Sequence, residues 1–126
     1  MNEKMEKVAA LLNKANKDYK ASKALLDDYE FEYHSDVICF HCQQCVEKSL
    51  KAFLIYNETA FPRTHDLLVL ASICSVLDTR FKEFDLSEFS GFGVEIRYDD
   101  LSPTIEEAKQ AFETAKVVMD YVKGCT

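Results

Sequence analysis

Tryptophan is absent from this chain of 126 residues, and only 3 glycines and 2 prolines interrupt it. So few breakers exclude a loop-rich or disordered protein and favour helix over sheet. No apolar run approaches the eighteen or so residues that a membrane-spanning helix needs, which excludes a membrane protein of that kind. Nothing at the amino end reads as an export signal, so the chain is expected in the cytoplasm. Basic residues fall short of acidic ones, for a net charge of −7. That deficit excludes broad, non-specific attachment to nucleic acid, which comes mainly from Lys and Arg neutralising phosphates. Any nucleic-acid role has to be local.

What is present points to one helical domain over residues 1–126. Hydrophobic residues make up 48% of the chain, and a domain of this length buries roughly 68% of the surface its unfolded chain exposes. It needs no metal or disulfide staple. The 5 cysteines are odd in number, which argues against a complete disulfide framework and for thiols in a reducing compartment.

Met5, Val8, Leu12, Ala15, Tyr19, Ser22 and Leu26 recur at three- and four-residue spacings and predict an amphipathic helix over 2–27. Six lysines in residues 1–26 fit a solvated face, or else a phosphate-binding strip. Asp27, Asp28, Glu30 and Glu32 then crowd a link that ends at Ser35, the expected N-cap of a second helix with Asp36 in its first turn and reaching about Asn57. In that helix Cys42, Cys45, Val46, Ser49, Leu50, Phe53 and Tyr56 form a broad apolar arc, since each residue turns roughly 100°. Its other side is a polar stripe of His41, Gln44, Lys48 and Lys51, interrupted by Val37, Phe40 and Ile55. Apolar intruders on a polar face fit a docked partner, here a second copy of the chain; the plainer reading leaves them singly exposed.

Pro62 drives Phe61 out of helical geometry, and Thr64 is placed to cap a third helix over about 65–77. A short helix is expected from Asp78 or Thr79 to Phe84. Residues 85–93 are irregular. Ser102-Pro103-Thr104 starts the last helix, with Thr104 and Glu107 spaced as a capping box, and Gly124 is expected to end it. The fold class is all-α, an up-and-down bundle of four helices with a short additional one.

Three groups of residues invite chemistry. Cys39, Cys42 and Cys45 lie three apart, so on a helix each is turned about 300° from the last and they do not converge on one ion; they read as small apolar fillers. Arg63, Thr64, His65 and Asp66 put a cation, an imidazole and a carboxylate at a helix start, where phosphate is favoured; capping explains the same residues. Arg97-Tyr98-Asp99-Asp100 sets an arginine suited to bidentate contacts beside two acids, for an internal tie or for a phosphate. Walker-type, dinucleotide-binding, GxSxG and HExxH signatures are all missing.

Phe40-His41-Cys42-Gln43-Gln44-Cys45-Val46-Glu47-Lys48-Ser49-Leu50-Lys51-Ala52, then Pro62-Arg63-Thr64-His65-Asp66-Leu67, then Arg97-Tyr98-Asp99-Asp100 together resemble the HEPN family, the higher eukaryote and prokaryote nucleotide-binding domain. The resemblance runs over nearly the whole chain. It implies a helical bundle, often a homodimer, that works with a separately encoded nucleotidyltransferase, frequently as a toxin–antitoxin pair, and is concerned with nucleotides or RNA. Ribonuclease members of the family carry an Arg followed four to six positions later by His. Arg97 matches that Arg, but Leu101, Ser102 and Pro103 stand where the His belongs. Loss of an acid–base imidazole removes roughly 10²–10⁴-fold of rate, so the expectation is binding without independent catalysis; a divergent ribonuclease using His41 or His65, or a pure protein scaffold, is the alternative. The candidate ligand contacts are Arg97, Lys48, Lys51, His41, Gln44, Arg63 and His65, with Val37, Phe40 and Ile55 at an interface. No catalytic set, metal or cofactor is expected.

Overall fold

The computed structural model describes residues 2–89 and 103–126. They form four α-helices and no strand. The helices are α1 (Glu3–Leu26), α2 (Ser35–Tyr56), α3 (Leu67–Leu77) and α4 (Ile105–Cys125), joined by 3-10 turns at Phe31–His34, Thr79–Glu83 and Ser87–Phe89.

The central element is α2, which packs against α1, α4 and α3. Its apolar arc is the core: Cys42, Cys45, Val46, Ser49, Leu50 and Phe53 are buried, and Tyr56 packs half-buried at the end. Small side chains let α1 come close. Ser22 Oγ donates to the Asp18 carbonyl at 3.1 Å and reaches the Ile38 carbonyl at 3.4 Å, while Cys42 Sγ lies 3.4 Å from Ser22 Oγ. Tyr19 of α1 stacks on Phe112 of α4 at 4.9 Å between centroids, which ties the outer pair together. At the other end Phe81 meets Phe53 at 4.5 Å and Tyr121 at 5.5 Å, and Tyr121 donates its hydroxyl to the Asp78 carboxylate. That contact holds the Asp78 carboxyl below its ordinary range.

The helix ends correct three expectations. Thr104 does form the capping box: its Oγ1 accepts from Glu107 N at 3.1 Å, and Glu107 Oε1 accepts from Thr104 N at 2.9 Å. Ser35, however, is the first residue inside α2 rather than its cap, because the 3-10 turn before it already leads the chain into helical geometry. The cap of α3 is Asp66, not Thr64; Asp66 Oδ1 accepts from Leu68 N at 2.9 Å, and Thr64 Oγ1 only accepts from Asp66 N. A carboxylate outcompetes a hydroxyl for the positive end of a helix. The expected short helix after Asp78 is present as a 3-10 helix over Thr79–Glu83. Finally, α4 runs through Gly124 to Cys125.

Past Tyr56, Thr59 N donates to Leu54 O at 2.9 Å and Glu58 N to Ile55 O at 3.0 Å, the bond pair of a Schellman ending. It demands a left-handed residue, and Glu58 supplies it at φ 52°. No helix among the described residues is long and apolar enough to cross a membrane.

Candidate functional site

The polar stripe of α2 is half-buried, and its two lysines are each held by a carboxylate. From His41 to Lys51 it is about 15 Å long, ten residues at 1.5 Å each. His41, Gln44, Lys48 and Lys51 all stand partly accessible. At one end Asp18 reaches across from α1. Its Oδ2 takes Lys48 Nζ at 2.5 Å, and its Oδ1 lies 2.9 Å from His41 Nδ1. At the other end Glu47 is buried. Its Oε2 takes Lys51 Nζ at 3.1 Å, and its Oε1 lies 3.0 Å from His65 Nδ1.

The two ends therefore repeat one arrangement: a shielded carboxylate holding one lysine and one histidine. An ionised carboxylate only accepts, so each Nδ1 carries its proton and leaves Nε2 for something else. Burial makes an unpaired carboxylate costly, which explains why both acids recruit cations. A lysine ammonium has three donors, and the carboxylate engages one of them at either end.

Gln44 and Gln43 tie the stripe to the connection before α3. Gln44 Nε2 donates to Gln43 Oε1 at 2.8 Å, and buried Gln43 donates from Nε2 to the His65 carbonyl at 3.3 Å. This chain of bonds fixes the connection before α3 against α2. His65 thus belongs to the stripe, while Arg63 stays exposed away from any described polar partner. Helix α3's own amino end is occupied by Asp66, so its amide donors are not open to an external anion. Arg97, with Tyr98, Asp99 and Asp100, lies outside the described residues.

The structure divides the three interface candidates. Val37 is 41% and Phe40 39% exposed, whereas Ile55 is partly buried and packed on the core. Cys39, Cys42, Cys45 and Cys74 are buried, and among the described residues no three His, Cys, Asp or Glu side chains converge to hold a metal. Burial pushes the thiols of Cys45 and Cys74 up to about 12.

Asp18, Gln43 and Glu47 were not singled out from sequence. A signal existed for Asp18, which stands three residues after Ala15 and four before Ser22, both fully buried. An acid bordering an apolar stripe needs a partner.

Comparison with known proteins gives one family. The model of the HEPN domain matches residues 8–125 of this chain. No curated protein and no solved structure matches it.

Proposed function

We infer the role of this chain from two findings together: it belongs to the HEPN domain family, and its central helix carries a half-buried stripe in which two carboxylates each hold a lysine and a histidine. The function proposed is binding of a phosphate-bearing ligand, a nucleotide or a stretch of RNA, along His41, Gln44, Lys48 and Lys51. The chain does this in the cytoplasm as a module without catalysis of its own, beside a separately encoded nucleotidyltransferase in a toxin–antitoxin type of arrangement.

The observation that carries the reading is the double carboxylate–lysine–histidine arrangement. Asp18 and Glu47 cancel the charge of Lys48 and Lys51 at rest but engage only one donor of each ammonium. A carboxylate-held lysine is also ordered, which lowers the entropy cost of meeting a phosphate. Protonating either imidazole turns a neutral end into a cationic one. The stripe thereby offers local attraction in a chain whose net charge of −7 opposes it elsewhere. Gln44, between His41 and Lys48, commits one amide N–H to Gln43 and keeps its other N–H and its oxygen for a base edge.

Gln44→Glu tests this, with a thermal melt beside it because the change removes the amide that donates to buried Gln43 Oε1. A carboxylate there stands four residues before Lys48, an orientation that supports a helix, yet it repels phosphate from the middle of the stripe. Fluorescence anisotropy with labelled single-stranded RNA and with ATP should show affinity reduced about tenfold, equivalent to about 1.4 kcal/mol. Unchanged affinity for both would remove the stripe as the site.

A second reading rests on the same imidazoles. Nδ1 bonded to a carboxylate with Nε2 left over is how acid–base histidines are oriented, so a divergent ribonuclease is the rival to exclude.

A further inference from the structure

Tyr29, Tyr33, Val37 and Phe40 follow one another at spacings of four, four and three, and all four are exposed, at 87%, 80%, 41% and 39%. They cross from the turn after α1, through the 3-10 segment, onto the start of α2. Two exposed tyrosines at this level are unusual for a surface with nothing to meet, since aromatic side chains concentrate at contact sites.

The backbone that presents them is closed by its own bonds. Phe31 N donates to Asp28 O at 3.1 Å and Tyr33 N to Glu30 O at 2.9 Å. Asp28 Oδ2 accepts from Glu30 N at 3.1 Å and lies 3.1 Å from His34 Nε2. Phe31 between them is partly buried and lies beneath Lys109, whose ammonium sits 5.3 Å from its ring. Tyr29 and Tyr33 thus stand exposed on a turn closed by its own bonds.

Charge then selects the occupant. Residues 27–40 contain five carboxylates and neither Lys nor Arg. Lys23 pairs with Asp27 at 3.3 Å, but among the described residues no Lys or Arg pairs with Glu30, Glu32 or Asp36, all exposed. Phosphate is repelled, so neither RNA nor an anionic membrane fits. A second copy seated by the same patch would set acid against acid. A lysine- or arginine-rich segment fits both features, with cations over the tyrosine faces and carboxylates at their flanks.

We propose that the Tyr29–Tyr33–Val37–Phe40 face docks a basic, apolar-faced segment of a partner protein. It does so independently of the phosphate stripe, and either proposal stands if the other fails. The probe is a synthetic helical peptide carrying Lys and Arg on one face and Leu on the other, with a Glu-for-Lys and Glu-for-Arg version as control. Binding is read by amide chemical shifts and anisotropy, with thermal melts of every variant. The expected result is shifts confined to residues 28–40, and affinity about tenfold weaker in Tyr29→Ser/Tyr33→Ser and in Glu30→Gln/Glu32→Gln. Val76→Ser, which alters an 84% exposed residue of α3, should bind as the parent does. Absence of peptide binding, or equal binding by all variants, overturns the proposal. So does a dimer by sedimentation that Tyr33→Ser dissociates, which would give the face to a second copy, or weakened RNA binding by the tyrosine variant, which would give it to nucleic acid.

Discussion

Lys48 donates to the Asp18 carboxylate at 2.5 Å across 30 positions of sequence, and that contact joins α1 to α2. Both side chains are largely shielded, at 24% and 12% accessible. Asp18→Ala should therefore destabilise the fold by about 1–3 kcal/mol, below the 3–5 kcal/mol of a fully buried pair because water still reaches Lys48. The exposed Lys7–Glu3 pair is the contrast: Lys7→Ala should change stability by no more than about 0.5 kcal/mol. Urea unfolding followed by circular dichroism measures both.

Glu58 carries a backbone conformation that suits glycine, with φ at 52°. A residue with a Cβ loses roughly 1–2 kcal/mol there, and glycine returns part of that gain through a more flexible unfolded chain. Glu58→Gly should raise stability by about 0.5–1 kcal/mol. A lower melting temperature in the variant would mean that the Glu58 side chain makes a contribution the ending of α2 does not reveal.

Cys45 and Cys74 titrate at about 12 in the fold against 9.0 ordinarily, chiefly because burial disfavours the thiolate. Their folded value is the higher one, so their stabilising effect is complete below pH 9.0 and is lost as the pH climbs toward about 12. The urea midpoint should fall steadily across that alkaline window. Under mild alkylation near neutral pH, half-buried Cys125 should react well before either buried thiol, as mass spectrometry of digests can show.

Incubated alone with structured and single-stranded RNA in EDTA, the protein should produce no cleavage above background. Reproducible cleavage that disappears in His41→Ala or His65→Ala would instead make the two carboxylate-held imidazoles an acid–base pair.

Features set by neighbours in sequence were legible without a structure. The capping box of Thr104 and Glu107 depends on three-residue spacing, and the apolar arc of α2 on helical period, so both were found. Where several oxygens compete at adjacent positions, as Thr64 and Asp66 do before α3, spacing alone did not decide which one caps. The 3-10 turn at Phe31–His34 depends on Asp28 meeting His34, a contact hidden in a run that reads simply as acidic. The polar stripe was visible, but the acids that hold it were not. Asp18 meets His41 and Lys48 from 23 and 30 residues away, and His65 meets Glu47 from 18. Only the packing of α1 and of the connection before α3 onto α2 brings those partners together. The strip of Val37, Phe40 and Ile55 divides in exposure for a related reason: helical period put them on one side, but the core reaches far enough around to take Ile55.

The salt dependence of RNA affinity tests the phosphate-binding role most directly. For a single strand the slope of log K against log salt is about −0.7 for each phosphate neutralised. Where phosphate replaces Asp18 and Glu47 at the two ammoniums, Lys48 and Lys51 together predict a slope of at most about −1.4 for the wild type. Lys51→Gln should bring it to about −0.7, with weaker binding at every salt concentration. Identical slopes for wild type and Lys51→Gln, or no dependence on salt in either, would contradict a phosphate on the α2 stripe.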